Sequence, residues 1–293
     1  MYLTGFADEA APNLEGQMHA TRTLGWSRIE ARNINGINLH DLPDQDFEIV
    51  VAKLHEAGVS INCFGSAIAN WACQIADPFD VSLEQAKRAI PRMQRLGAQL
   101  IRIMSYAVTE GRAADDQMEE ERFRRLRILC QMFTDSGLTP VHENCMNYGG
   151  MSWRHTLKLV ENVPGLKLVF DTGNPVSSAD RSRPAPQPRQ SSWKFYTHVK
   201  EHIAYVHIKD GKWDSEKQTI MYTFPGEGDG DVKRIVQDLV KSGYAGGFSI
   251  EPHLSVVFHN PSITSTAEAQ FANYIKYGKM MEAMLAEAQR KAA

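Results

Sequence analysis

Four residues of the 293-residue chain stand where an apolar or β-branched run ends: Glu143 in VHEN, Asp171 in LVFDTGN, His207 in YVHIKD and Glu251 in FSIEPH. Three carboxylates and one imidazole offer hard oxygen donors and a borderline nitrogen, a set suited to one hard or borderline divalent cation. Taken singly, each has a plain structural explanation. Asp171 before Thr-Gly-Asn could cap a helix, His207 could be a satisfied core histidine, and Glu143 or Glu251 could pair with an arginine. Taken together they need a shared location, because buried charges persist only when paired or bound to a cation.

The elements that would supply that location are legible along the chain. A parallel strand buried on both faces is written as an apolar run. Such runs occur at Tyr2–Ala7, Ser27–Arg32, Val59–Gly65, Leu100–Ser105, Leu138–Asn144, Leu166–Asp171, Ile203–Lys209 and Ala245–Glu251. Amphipathic stretches follow them at Asn13–Leu24, Gln45–Ala57, Ser82–Leu96, Gln117–Ser136, Trp153–Asn162, Ser192–Glu201, Val232–Ser242 and Thr266–Glu287. Gly25, Gly58, Gly97, Gly137 and Gly243 each stand between a helix pattern and the next strand, where a left-handed C′ residue ends a helix.

Eight strand–helix repeats predict a (β/α)8 TIM barrel spanning 1–293 as a single domain. All strand C-termini of such a barrel open onto one face, and the four candidate ligands end strands five to eight. The rival, an open doubly wound sheet, expects a glycine-rich phosphate loop after its first strand; Asp8-Glu9-Ala10-Ala11-Pro12 stands there instead. One compositional break, 177–192 (SSADRSRPAPQPRQSS), is too rich in proline and polar residues to build a core. It follows strand six and would lie over the barrel mouth, as a lid, a subunit contact or a surface excursion. The last helix is expected to end in a solvated tail, 287–293.

Composition narrows the function classes. With 43% hydrophobic and 23% charged residues and a net charge of −3, the chain is ordinary globular protein, without the basic face that nucleic acid or an anionic membrane would require. MYLTGFADEA has neither a basic nor an apolar leader region, and no stretch approaches the roughly 20 apolar residues of a membrane span. A cytoplasmic location is expected. Cys63, Cys73, Cys130 and Cys145 lack paired spacing, which predicts free thiols in a reducing compartment and no zinc–cysteine site.

The motifs VHEN, FDTGN, VHIKD and SIEPH, with PGEGDGDV at Pro225–Val232, resemble the xylose isomerase-like barrel superfamily over nearly the whole chain, in its sugar (phosphate) isomerase/epimerase branch. The resemblance implies that Glu143, Asp171, His207 and Glu251 hold one divalent metal ion, Mn2+ foremost, with Mg2+, Co2+ and Zn2+ as alternatives. It implies an isomerase or epimerase whose partner is a small sugar or keto-polyol, and it leaves a homo-oligomer open. It also gives Glu143 and Glu251 a double role as ligands and acid/base catalysts. The chemistry is coherent: a cation on the carbonyl and hydroxyl oxygens stabilises an enediolate, one carboxylate removes the α proton, and a second on the opposite face returns one.

Two positions depart from the ketose 3-epimerase pattern: Asn174 stands where those enzymes carry histidine, and Trp213 where they carry arginine. The HIKD sequence also resembles inosose dehydratase relatives, so a lyase on a keto-polyol is the alternative reaction, and a catalytically silent sugar-binding barrel the alternative class. A DNA phosphodiesterase of the endonuclease IV type shares the fold but would need a three-metal cluster and a basic face.

Position on the strand-end face nominates substrate-binding side chains. These are Arg102 on strand four, Glu30 on strand two, Lys209 and His253 two residues beyond His207 and Glu251, Asn174, and Trp71 as a flat wall for a sugar. His198 and His202, four apart on a helix, lack the glutamate of a metalloprotease motif and read as a polar helix face. The GEGDG run at Gly226–Gly230 lacks the Lys-Ser/Thr of a phosphate loop and reads as a turn into the next helix.

Overall fold

Each predicted strand forms, one to three residues shorter than its apolar run, in a computed structural model that describes residues 1–256 and 265–292. The barrel strands are β1 (Tyr2–Gly5), β2 (Arg28–Ala31), β3 (Ser60–Phe64), β4 (Leu100–Ile103), β5 (Thr139–Glu143), β6 (Lys167–Asp171), β7 (Ile203–Ile208) and β8 (Gly247–Ile250). They hydrogen-bond in the order β1-β8-β7-β6-β5-β4-β3-β2, every pair parallel. A parallel bridge between Phe6 and Glu30 joins the remaining seam. The architecture is the expected (β/α)8 TIM barrel.

The principal helices are α1 (Leu14–Thr23), α2 (Asp44–Ala57), α3 (Asp80–Leu96), α4 (Glu119–Asp135), α5 (Trp153–Asn162), α6 (Ser192–Val199), α7 (Val232–Lys241) and α8 (Ala267–Ala292). Local chemistry sets their ends. Asn13 caps α1 by accepting from the Gly16 N–H at 2.8 Å, and α2 and α3 stop at Gly58 and Gly97, whose φ values of 64° and 69° favour glycine. Helix α8 outruns its predicted end: the segment past Glu287 is helical to Ala292 and buries Ala288, in keeping with its Ala, Glu, Gln, Arg and Lys content. Ala293 lies outside the described residues.

Period-two alternation sends every second strand residue inward. Cys63, Val141, Val169 and Tyr205 form a small apolar cluster of their own. The larger core, with Ile29, Phe64, Ile101, Phe170 and Ile208 from the strands, packs against Phe133, Val236 and Leu239 of the helices. On β5 to β8 the next inward position toward the C-terminus is Glu143, Asp171, His207 or Glu251.

Two hairpins have no counterpart in the predicted alternation, because strands of two to four residues carry too little pattern. Asn33–Ile34 pairs with Ile37–Asn38 after β2, and Gly211–Asp214 pairs with Thr219–Tyr222 after β7. The segment 177–192 is tied down at several points. Ala179 bridges to Arg189, buried Gln190 donates to the Gly150 carbonyl at 2.9 Å, and the Arg189 guanidinium lies 3.5 Å from the Trp213 ring centroid.

The GEGDG run wraps an internal anion. The Asp210 carboxylate accepts from the backbone N–H groups of Gly211, Gly226, Gly228 and Gly230 at 2.8–3.0 Å. A Cβ on Gly228 would collide with Asp210 Oδ1, and one on Gly230 would come within 2.7 Å of it. Gly228→Ala should therefore cost about 1–3 kcal/mol of stability through disrupted hydrogen bonds to a buried carboxylate; chemical denaturation measures this, and an unchanged midpoint would refute the cradle's structural role.

Candidate functional site

Glu143, Asp171, His207 and Glu251 each offer one donor atom, and these atoms all lie within 4.8 Å of one another. All four residues are at most 3% exposed. The β6–β7 register sets Asp171 opposite His207. The surrounding motif letters brace this arrangement. Asn144 bonds the Asp171 backbone in both directions, at 3.0 and 2.7 Å, and so locks β5 to β6. Thr172 Oγ1 donates to the Lys209 carbonyl at 2.6 Å and accepts from its N–H at 3.1 Å. Gly173 passes so near Lys209 that a Cβ would fall 2.7 Å from its Cγ.

Each donor has a fixed electrostatic setting. Glu143 receives Arg102 Nη1 at 2.9 Å and Asn174 Nδ2 at 3.0 Å. Burial resists its charge, but Arg102 and His207 prevail and bring its pKa down to about 2. Glu251 accepts from Arg32 Nη1 at 3.0 Å and Lys209 Nζ at 2.8 Å; against the cost of burial, Lys209, His253 and Arg32 hold it well below the ordinary range. Asp171 uses Oδ1 to accept from the N–H groups of Gly173 and Asn174, at 2.8 and 2.6 Å. Burial dominates there and lifts its pKa to about 6 despite Lys209.

His207 places Nε2 3.1 Å from Glu30. Its Nδ1 lies 3.7 Å from Glu143 Oε1 and 4.0 Å from Glu251 Oε2, between the two glutamates. Burial disfavours the imidazolium, but Glu30 and Glu143 outweigh it and raise the pKa to about 10.

Several observations test whether a divalent cation fits. His207 Nδ1 and Asp171 Oδ2 are buried without a hydrogen bond; the Lys209 ammonium stands 3.0 Å from Asp171 Oδ2 as an ion pair only. Glu30 on Nε2 leaves Nδ1 as the nitrogen facing the carboxylates, the arrangement that orients metal-binding histidines. Six buried carboxylates (Asp8, Glu9, Glu30, Glu143, Asp171, Glu251) face three permanently cationic side chains (Arg32, Arg102, Lys209). That imbalance of three negative charges suits a cation. A second cluster, Glu9, Glu251 and His253, also has donors within 4.8 Å. Its cation is already present, since Arg32 lies 3.2 Å from Glu9 and 3.0 Å from Glu251.

A cavity of about 180 Å3 opens over the site, bordered by Glu143, Glu251, Arg102, Lys209, His253 and half-exposed Trp71 among others. Asp171 and His207 lie behind this wall, and Glu30 beneath it contacts His207. Asn174 also lines the cavity, while no residue of 177–192 does. His253 reaches the cavity by a different route from the extended strand expected for it. Strand β8 stops at Ile250, His253 adopts φ 53°, and Glu9 holds both its N–H (2.7 Å) and its Nδ1 (2.9 Å). Asp8, Glu9 and Arg32 escaped the sequence reading although they follow or end the first two strands. Arg32 binds Asp8 through Nε and Nη2 at 3.0 and 3.1 Å. Tyr222, edge-on to His253 with centroids 5.0 Å apart, comes from a hairpin that left no sequence signal.

A closed βα barrel carrying a carboxylate–imidazole cluster at its strand C-termini defines the class. Residues 18–272 match the xylose isomerase-like TIM barrel family, and the chain belongs to that family. Among solved structures, a D-tagatose 3-epimerase-like protein is 15% identical with a TM-score of 0.72, each chain covered in full. An IolI protein with a bound zinc atom is 15% identical, with a TM-score of 0.71 and coverage of 98% of this chain and 99% of that one. A xylose isomerase-like TIM barrel protein from Mycobacterium smegmatis in complex with magnesium is 17% identical, with a TM-score of 0.68 and 97% coverage of each chain. No curated protein matches the chain. No helix among the described residues is long and apolar enough to cross a membrane.

Ligation requires neutral His207 and ionised Asp171, so protons held at pKa values of about 10 and about 6 must leave. Divalent-metal affinity should rise with pH between 5 and 8, by up to about tenfold per unit for each proton released. Calorimetric titration in two buffers of different ionisation enthalpy counts those protons; a flat affinity would refute the ligand set.

Proposed function

We propose that the chain is a divalent-metal-dependent sugar isomerase or epimerase that moves a proton at the carbon beside a carbonyl of a small carbohydrate or keto-polyol. The observation that carries this reading is the convergence of Glu143, Asp171, His207 and Glu251 within 4.8 Å, with Glu143 and Glu251 lining a cavity. These four would hold the cation; Mn2+ is the first candidate, and the magnesium and zinc in similar barrels support a divalent ion of this size and hardness. Bound there, it would supply Lewis-acid stabilisation of negative charge on substrate oxygens.

The protein's own groups would do the rest. Glu143 and Glu251 border the cavity from β5 and β8 with His207 Nδ1 between them. Both are held ionised by buried cations, so either can begin as a base. One takes the proton from carbon and the other returns one from the opposite side. Arg102 and Lys209 keep the two carboxylates oriented, and Trp71 offers a flat apolar face to the sugar ring. Asp171 and His207 act as ligands only, with Glu30 fixing the imidazole.

Incubation of the metal-loaded protein with ketoses and keto-polyols in deuterated water tests the reading. Solvent deuterium should appear at the carbon beside the carbonyl without loss of water. Release of water would mark a dehydratase, and absence of exchange across the panel with metal bound would overturn the assignment. Glu143→Gln should lower turnover about 10²- to 10⁴-fold while the fold survives, because a carboxamide cannot act as a base. Verified chelation should lower the melting temperature, since metal at 100 times its Kd stabilises by about 2.7 kcal/mol; an unchanged melt would count against a tight site.

A further inference from the structure

We propose that the cavity accepts an uncharged polyhydroxy carbonyl compound and rejects phosphorylated or carboxylated ones, because carboxamides line its wall while every cationic side chain on it is engaged by buried carboxylates. The inference rests on the reading of this cavity as the substrate site, and it adds the charge class of the substrate.

Three permanently charged bases line the cavity: Arg32, Arg102 and Lys209. Arg32 spans Asp8, Glu9 and Glu251. Arg102 binds Glu143 and donates to the carbonyls of Gly65 and Ser66 at 3.3 Å. Lys209 bridges Asp171 and Glu251. His253, the remaining basic residue of the lining, is bound by Glu9. A divalent ion would remove two of the three excess negative charges and leave one. An incoming phosphate or carboxylate would meet like charge in a partly desolvated pocket, or would have to break one of these ion pairs.

The neutral side is supplied by Asn33, Asn38, Asn70 and Asn174. A carboxamide both donates and accepts, as a sugar hydroxyl does. Among the described residues the Asn33 side chain makes no hydrogen bond. Asn38 and Asn174 use only Nδ2, toward Gly65 O and Glu143, so their Oδ1 atoms remain available. Asn70 uses Oδ1, toward Ala72 N–H and Cys73, so its Nδ2 remains available. Donors and acceptors thus surround the cavity without added charge. At about 180 Å3 it lies below the roughly 300–1,000 Å3 typical of pockets for drug-sized ligands, which limits the occupant to a small molecule.

Calorimetric titration tests this on the full chain. Metal binding is measured first, and its absence would refute the metal site rather than the charge class. The metal-loaded protein is then titrated with neutral ketopentoses, ketohexoses and keto-inositols, each beside its phosphorylated or carboxylated counterpart. A neutral member should bind at least about tenfold more tightly than its charged counterpart. Equal or tighter binding of the charged form overturns the proposal, as does failure of every neutral member to bind. Asn33→Ala, at a side chain that makes no hydrogen bond among the described residues, should weaken the neutral ligand roughly three- to tenfold with metal affinity unchanged. Unchanged sugar affinity in that variant would overturn the carboxamide wall as the sugar's hydrogen-bonding surface.

Discussion

Six carboxylates are buried beside three permanent cations at the C-terminal end of one small barrel, and the surrounding structure is arranged around that imbalance. A buried carboxylate is tolerable only if its oxygens are bonded and its charge is countered. Arg32, Arg102 and Lys209 therefore do not approach the cavity as independent groups. Each holds one or more acids, and each acid borders the next, from Asp8 through Glu9 and Glu251 to Asp171 and Glu143. Removing one member would expose the charge of its partner in a medium that solvates it poorly, so the network is specified as a unit.

The barrel makes such a network affordable in geometry. The parallel register sets Asp171 opposite His207, with Glu143 and Glu251 each within two residues of their neighbour's level, so these inward-facing positions on consecutive strands converge. Side chains one step beyond the strands then lock the backbones that carry the acids: Asn144 across β5 and β6, and Thr172 and Gly173 against Lys209. Asp210, next in sequence, faces away into a ring of glycine N–H groups and anchors the loop that follows the β7 hairpin. The four consecutive residues of HIKD thus include a candidate ligand, a charge bridge and a loop anchor.

Opposing influences on neighbouring groups give the site its chemical range. Asp171 and Glu143 are both fully enclosed carboxylates, yet one is pushed up to about 6 and the other down to about 2. The difference lies in the company: Glu143 has Arg102 and His207, whereas Asp171 shares Lys209 with Glu251 and faces two other acids. Identical functional groups thereby acquire different readiness to hold a proton.

The sequence by itself determined the barrel and the convergence of Glu143, Asp171, His207 and Glu251, because both follow from local periodicity: apolar runs of strand length, glycine stops, and one polar residue at each run's end. Only the tertiary structure decided which cations those acids would hold, that Glu9 would turn His253 toward the cavity, that Asp8 and Arg32 belong to the site, and that 177–192 does not line the cavity. Those contacts join residues up to 244 positions apart, as Glu9 and His253 are. Local pattern cannot carry them, since they depend on strand tilt, side-chain length and a left-handed turn, which are set when the barrel closes.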